Sequence, residues 1–218
     1  MFSLSPSPSL NRVLLPALLL SMLGLVSGCA GLTPAPPSAA ALSPLEQAVR
    51  AGDCGGAANI AQTIVADSAS DAALVVAAQT CLRQGDFEQA HNLAVQALAQ
   101  PVSDDQGDYA AYLKAVSGFG LWSLASRSQP QIQVEQGRAL FQEITNYLYA
   151  RPLSVYTDEL APRLPRLREG IAAGELRLAQ AAYRDGRHDA ALARADYIIE
   201  YYSRTQAAAE AAQWRLER

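Results

Sequence analysis

The side chains able to do covalent or acid–base chemistry are few: three cysteines, two histidines and a pair of adjacent aspartates. Cys29 lies in Leu-Val-Ser-Gly-Cys-Ala-Gly, residues 25–31, directly after a run of leucines. A thiol there can pack, form half of a disulfide, or serve as an attachment point. His91 and His188 each sit near the start of a helix, at positions expected to be exposed, where a histidine is ordinarily a solvated turn residue. Asp104-Asp105 reads as a loop and helix-start signal, because carboxylates are favourable at a helix N-terminus. The sequence has no nucleophile–base spacing, no phosphate-binding glycine loop and no cluster with metal-ligand spacing. Catalysis is not expected, and no cofactor or metal is implied.

The flanks of Cys29 choose among its roles. Residues 1–12 carry one charge, Arg12, and residues 13–28 carry none. That apolar run is shorter than the roughly 20 residues of a membrane-spanning helix and fits the apolar core of an export signal. It ends in Val26-Ser27-Gly28-Cys29. The order aliphatic–small–Gly–Cys resembles the bacterial lipobox. In that motif the cysteine thiol is alkylated with diacylglycerol, the signal is cut before it, and the new amino terminus is acylated. Three acyl chains exceed the two anchors that stable membrane attachment requires. Cys29 is therefore read as a lipid anchor and residues 1–28 as a lipoprotein signal. The alternative is an ordinary secretory signal with an incidental cysteine. Ala30 stands where lipoproteins kept at the inner membrane carry Asp. The resemblance thus implies lipid anchoring to the outer membrane, facing the periplasm.

The part after the signal holds all 21 acidic residues and all but one of the 17 basic ones. An acidic chain of this kind shows no basic stripe and argues against a nucleic-acid binder. Residues 29–43, rich in Pro and Ala, are expected to be a partly extended, lipidated tether. Residues 44–218 remain for one domain with a substantial core.

From Ser43 the chain reads as helices. Ser43-Pro44-Leu45-Glu46 places a hydroxyl at the N-cap, proline at the first helical position and glutamate at the third, a capping box. No stretch alternates convincingly at period two. Three segments share one pattern: residues 49–65, 82–98 and 183–199. Gly52 aligns with Gly85 and Gly186, Ala57 with Ala90 and Ala191, and Ala61 with Ala94 and Ala195. The offsets suit a period of about 34 residues. Helix–Gly-x-x-x-x-Ala–helix at that period resembles the tetratricopeptide repeat. Glycine admits the positive φ of a turn between antiparallel helices. Alanine lets the second helix lie close to its neighbours, and each hairpin needs the next to cover its apolar face. The fold class expected is all-α: a tetratricopeptide-like α-solenoid of about four helix hairpins. A generic helical bundle is the alternative.

The middle is less regular. Residues 108–126 read as a helix, with Tyr112, Val116, Phe119 and Trp122 among its apolar positions, weakened by Gly118 and Gly120. Residues 127–133 read as a break, and 134–150 as a second helix with Leu140, Phe141, Ile144, Tyr147 and Leu148 on its apolar face. Residues 151–154 end it. Pro162 and Pro165 then oppose a continuous helix, so the next long helix is expected to begin near Pro165, after a kink or separate turn.

Over residues 108–212 the order of segments is similar to that of the BamD-like family, lipoproteins of the β-barrel assembly machinery. The resemblance rests on Asp108-Tyr109-x-x-Tyr112, on Pro152, Ser154, Tyr156 and Thr157, and on Gly186, Arg194, Tyr202 and Thr205. Residues 205–218 read as the first helix of a fifth repeat. The resemblance implies a non-catalytic scaffold. Its partners would be BamA-type POTRA domains, other assembly-complex lipoproteins and unfolded outer-membrane protein segments. The alternative is a tetratricopeptide-repeat lipoprotein serving as a pilus or secretion-system assembly factor. On residues 188–202, Ala191, Ala195, Ile198 and Tyr202 define a buried stripe. Arg194, Tyr197 and Tyr201, at i, i+3 and i+7, share one flank of it and are of the types enriched in interface hot spots. By resemblance Arg194 faces the POTRA domains. The bland alternative is an arginine stacked on a tyrosine of its own helix.

Cys54 and Cys81 remain. In the repeat alignment Cys54 begins the second helix of the first repeat, and Cys81 lies near the end of the first helix of the second. Both fall at the same end of the stacked layer, where Cα atoms can approach within the roughly 7 Å that bridging needs. The periplasm is oxidising, so the pair is a disulfide candidate that would staple a thin, alanine-rich first repeat. Two buried free thiols are the alternative.

Overall fold

The computed structural model describes residues 43–68, 72–101, 103–125 and 129–218. The expected signal, Cys29 and most of the expected tether lie outside the described residues. The described helices all belong to one unit, Ala41–Arg218. Among the described residues there is no strand, and no helix is long and apolar enough to cross a membrane.

The capping box starts the fold. Glu46 Oε2 accepts from the Ser43 backbone N–H at 2.8 Å, and Ser43 Oγ accepts from the Glu46 N–H at 3.3 Å. Helix α1 (Pro44–Ala51) follows and ends at Gly52. Next come α2 (Cys54–Ser68), α3 (Ala72–Gln84), α4 (Phe87–Leu98), α5 (Asp104–Ala125) and α6 (Pro130–Ala150). The turn α7 (Thr157–Leu160), α8 (Arg163–Arg184), α9 (His188–Tyr201) and α10 (Gln206–Leu216) complete the chain. From α1 to α6 each helix packs on its successor. Then α6 packs on α8, α8 on α9 and α9 on α10. Short connections between packed helices make antiparallel hairpins. The result is an all-α stack: α1/α2, α3/α4, α5/α6 and α8/α9, with α10 seated on α8 and α9.

The repeat seen in the sequence has a geometric cause. Gly52, Gly85 and Gly186 adopt φ of 68°, 77° and 79°, the left-handed region where a side chain is strained. Five residues on, Ala57, Ala90 and Ala191 have no exposed surface, and neither do Ala61, Ala94 and Ala195.

Two helices begin earlier than the sequence suggests. Helix α5 starts at Asp104, in keeping with the acidic helix-start signal, ahead of the expected residue 108. Helix α6 starts at Pro130, so residues 130–133 are helical and no break extends through them. Proline is tolerated in a first turn, where its missing N–H has no intrahelical partner to lose. Gln133 is buried, and its carbonyl accepts from Trp122 Nε1 at 3.0 Å. Helix α8 meets the expectation: the separate turn α7 precedes it, and Pro165 sits in its first turn.

Gly118 and Gly120 admit neighbours. A Cβ at Gly120 would lie 2.4 Å from the Phe87 ring, and one at Gly118 would lie 3.3 Å from the Leu140 side chain. Trp122, also on α5, tucks beneath Gly170 of α8, where a Cβ would meet the indole at 2.4 Å. That side chain ties α5, α6 and α8 together.

Gly120→Ala is therefore expected to lower stability by about 1–2 kcal/mol in denaturant unfolding, because the overpacking penalty exceeds the roughly 1 kcal/mol that alanine gains in helix propensity. Equal or greater stability than the unsubstituted protein would contradict the close α4–α5 approach.

Candidate functional site

Helices α6, α8 and α9 enclose a groove built around one carboxylate. Glu175 of α8 is only 2% exposed. An ion buried so deeply must be paired and hydrogen-bonded. Arg138 of α6 meets its Oε1, and Arg194 of α9 meets its Oε2. Three helices are thus clamped through one side chain. Arg138 also donates to the Tyr197 hydroxyl at 3.3 Å and lies 5.7 Å over that ring. Burial works against the Arg138 charge, but the Tyr202 hydroxyl and Glu175 outweigh it, and the pKa is raised. Tyr197 stands 4.8 Å from Tyr201, ring to ring. Arg168 donates to the Tyr201 carbonyl at 2.9 Å and lies 5.7 Å over the Tyr202 ring.

Two adjoining hollows, of about 310 and 480 Å³, share Arg138 and Tyr197. Their walls carry Arg138, Arg168 and Arg194 against the single carboxylate of Glu175. The groove is therefore cationic, although the whole chain has a net charge of −4. A cationic, tyrosine-lined hollow suits recognition of carboxylate-bearing protein surface.

The flank expected from the sequence is present, with one correction. Arg194 is half-buried, Tyr197 half-buried and Tyr201 57% exposed. Arg194 pairs with Glu175 of the preceding helix; the arginine lying over Tyr197 is Arg138, from α6. Sequence reasoning missed both Glu175 and Arg138. A signal for Glu175 exists: it falls in register between Ile171 and Ala179, both buried, on one face of α8.

A second constellation joins the α5/α6 hairpin to α7. Asp108 accepts from the Tyr147 hydroxyl and from Ser154 Oγ, each at 2.7 Å, and pairs with Arg151 at 3.2 Å. Beside it, Tyr156 stacks on Tyr112 at 4.4 Å and on Tyr109 at 5.3 Å. Burial, together with the Asp108 carboxylate, pushes the Tyr147 hydroxyl up to about 12. Burial, reinforced by Glu159, likewise raises Tyr112. Both are protonated at neutral pH, as a donor to Asp108 must be. Asp108-Tyr109-x-x-Tyr112 and Ser154-x-Tyr156, separate in the sequence, are the two halves of this joint.

Residues 39–218, which span both constellations, match the family YfiO, outer membrane lipoprotein. The chain belongs to this family. No curated protein matches it. Cys29 precedes the matched span and lies outside the described residues.

Elsewhere in this outer membrane lipoprotein, Cys54 and Cys81 are joined by a disulfide with Cα atoms 4.6 Å apart, linking the start of α2 to the end of α3. His91 is half-buried, contrary to expectation, because its ring packs against α5: its Nδ1 lies 3.2 Å from the Lys114 carbonyl oxygen and 3.5 Å from Ser117 Oγ. His188 is exposed and meets Tyr183 edge-on at 4.3 Å. Among the described residues no three His, Cys, Asp or Glu side chains could hold a metal ion.

The clamp makes a definite statement about stability. Arg194→Glu sets a second carboxylate against buried Glu175 and should cost about 3 kcal/mol or more, since breaking a buried pair leaves an uncompensated charge. Tyr201→Ala, at an exposed site, should stay within about 0.5 kcal/mol of the unsubstituted protein. Thermal unfolding of the two variants checks this; an Arg194→Glu protein as stable as the parent would contradict the clamp.

Proposed function

We propose that this outer membrane lipoprotein is a non-catalytic scaffold of the β-barrel assembly machinery, as its resemblance to the BamD-like family implies. In this reading acyl chains on Cys29 hold it at the periplasmic face of the membrane. The groove between α6, α8 and α9 docks a POTRA-bearing BamA-type partner, in company with other assembly-complex lipoproteins. Unfolded segments of barrel proteins are a further class of client.

The observation that carries the proposal is the groove itself. Arg138 and Arg194 are held in place by Glu175, and Arg168 by the Tyr201 carbonyl, before any partner arrives, so little side-chain entropy remains to be lost on docking. Their outward N–H groups and the Tyr201 ring face solvent on rigid helices. A partner with carboxylates around an apolar contact would match the charge and the shape. The acidic remainder of the chain would repel that same partner elsewhere, which selects this face.

Co-purification from solubilised outer membranes tests it. Tyr201→Asp adds a carboxylate to the groove at an exposed position and leaves the clamp intact. Recovery of the BamA-type barrel should fall about thirtyfold, corresponding to roughly 2 kcal/mol for a hot-spot residue, while the melting temperature holds. Undiminished recovery would remove the groove as the docking face. Absence of any barrel partner from folded, unsubstituted protein would remove the assembly role and bring forward a pilus or secretion-system role.

A further inference from the structure

Four large apolar side chains among the described residues are more than four-fifths exposed, and three of them are Tyr149, Leu153 and Val155. Tyr149 is 90% exposed, Leu153 96% and Val155 82%. They crowd the end of α6 and the loop that follows it. Single exposed hydrophobics need no explanation, but a cluster of this kind marks a contact surface.

The loop is firmly held. Ser154 Oγ donates to Asp108, Tyr156 stacks in the tyrosine cluster, and Thr157 Oγ1 donates to the Arg151 carbonyl at 3.3 Å. Ser154 and Tyr156 turn inward while Leu153 and Val155 turn outward. The network thus fixes the two apolar side chains in water.

The hairpin order says which edge this is. Odd-numbered helices α1, α3 and α5 lead away from one edge of the stack, and α2, α4 and α6 return to it. Ser43, where α1 begins, and the loop after α6 lie on that same edge. The chain from Cys29 to Ser43, fully stretched, reaches at most about 50 Å. The chain therefore enters α1 from the edge that carries the apolar loop, so any lipid on Cys29 is tethered to that edge. Exposed carboxylates of Asp104, Asp105, Asp158 and Glu159 belong to the same edge, and the nearby cations, Arg151 and Arg163, are already paired with Asp108 and Glu159. That balance disfavours an anionic surface.

We propose that the 149–155 segment is a second, non-covalent membrane contact, in which Tyr149, Leu153 and Val155 enter the interfacial layer of a zwitterionic phospholipid surface. This rests on the lipid-anchor reading of Cys29 and is independent of the α6/α8/α9 groove. Tyrosine suits the headgroup level and the aliphatic chains the layer beneath it. The acyl anchor raises the local concentration of lipid, so a small wedge suffices.

The test uses the full lipidated protein carrying Leu153→Trp, reconstituted into phosphatidylcholine–phosphatidylethanolamine vesicles with brominated acyl chains. The native indoles, Trp122 and Trp214, are buried at 7% and 8% exposure, so the bromines leave their emission constant and the spectrum of the unsubstituted protein is subtracted. The introduced indole should shift to the blue and lose most of its emission to shallow bromines, with no response to added salt. Emission typical of water, unquenched in vesicle-bound acylated protein, would overturn the proposal. So would an indole that shifts only when the BamA-type partner is added, which would assign the loop to protein. Mass spectrometry of the same sample reads Cys29 separately, and an unacylated cysteine would remove the anchor and this proposal while leaving the groove standing.

Discussion

The structure depends on how closely its helices can approach. Ala57, Ala61, Ala90, Ala94, Ala191 and Ala195 are fully buried, and each stands where a larger side chain would hold two helices apart. Close approach costs apolar area, because an alanine buries little. The deficit is met by larger side chains in the later hairpins, among them Leu93, Leu113, Ile144, Leu167 and Ile198. The first hairpin lacks them: its fully described buried hydrophobics are Ala48, Ala57, Ala58 and Ala61. The Cys54–Cys81 bond ties it to the next, closing 27 residues of chain. In the loop-entropy account such a bond stabilises by about 3–4 kcal/mol, comparable with burying two leucines.

The same tight packing places the groove. Gly170 and Gly174 of α8 receive the Trp122 ring and Val134 at distances no side chain there would allow. With α8 pressed against α6 in this way, Glu175 is shut off from water between Arg138 and Arg194. The clamp in turn fixes the angle at which α9 offers Tyr197 and Tyr201. A surface of this kind is rigid because the core under it has no slack.

Much of this was legible in the residues. Gly52, Gly85 and Gly186 recur because the turn geometry recurs, and the alanines recur because the approach does. The stripe Ala191, Ala195, Ile198 and Tyr202 is read from helical spacing and is buried as spacing requires. The illegible parts depend on partners remote in the chain. The start of α6 hides in polar Gln131 and Gln133, since the partners that hold Gln133 inside, Trp122 on its carbonyl and Arg177 on its side chain, lie on other helices. Glu175 passes for a surface charge until Arg138 and Arg194 are placed around it. Asp108 and Ser154 are 46 residues apart, and neither alone announces the other. His91 looks like a turn residue because its partners, the Lys114 carbonyl and Ser117, belong to another helix.

The central claim is that α9 and the facing part of α6 form the docking face for a POTRA-bearing partner. Hydrogen–deuterium exchange of the full protein, with and without that partner, measures it most directly. Slowed exchange in segments spanning Arg138–Gln142 and Arg194–Tyr202, with α2 and α3 unchanged, is the predicted result. Protection confined to the first two hairpins, or none at saturating partner, would contradict the account.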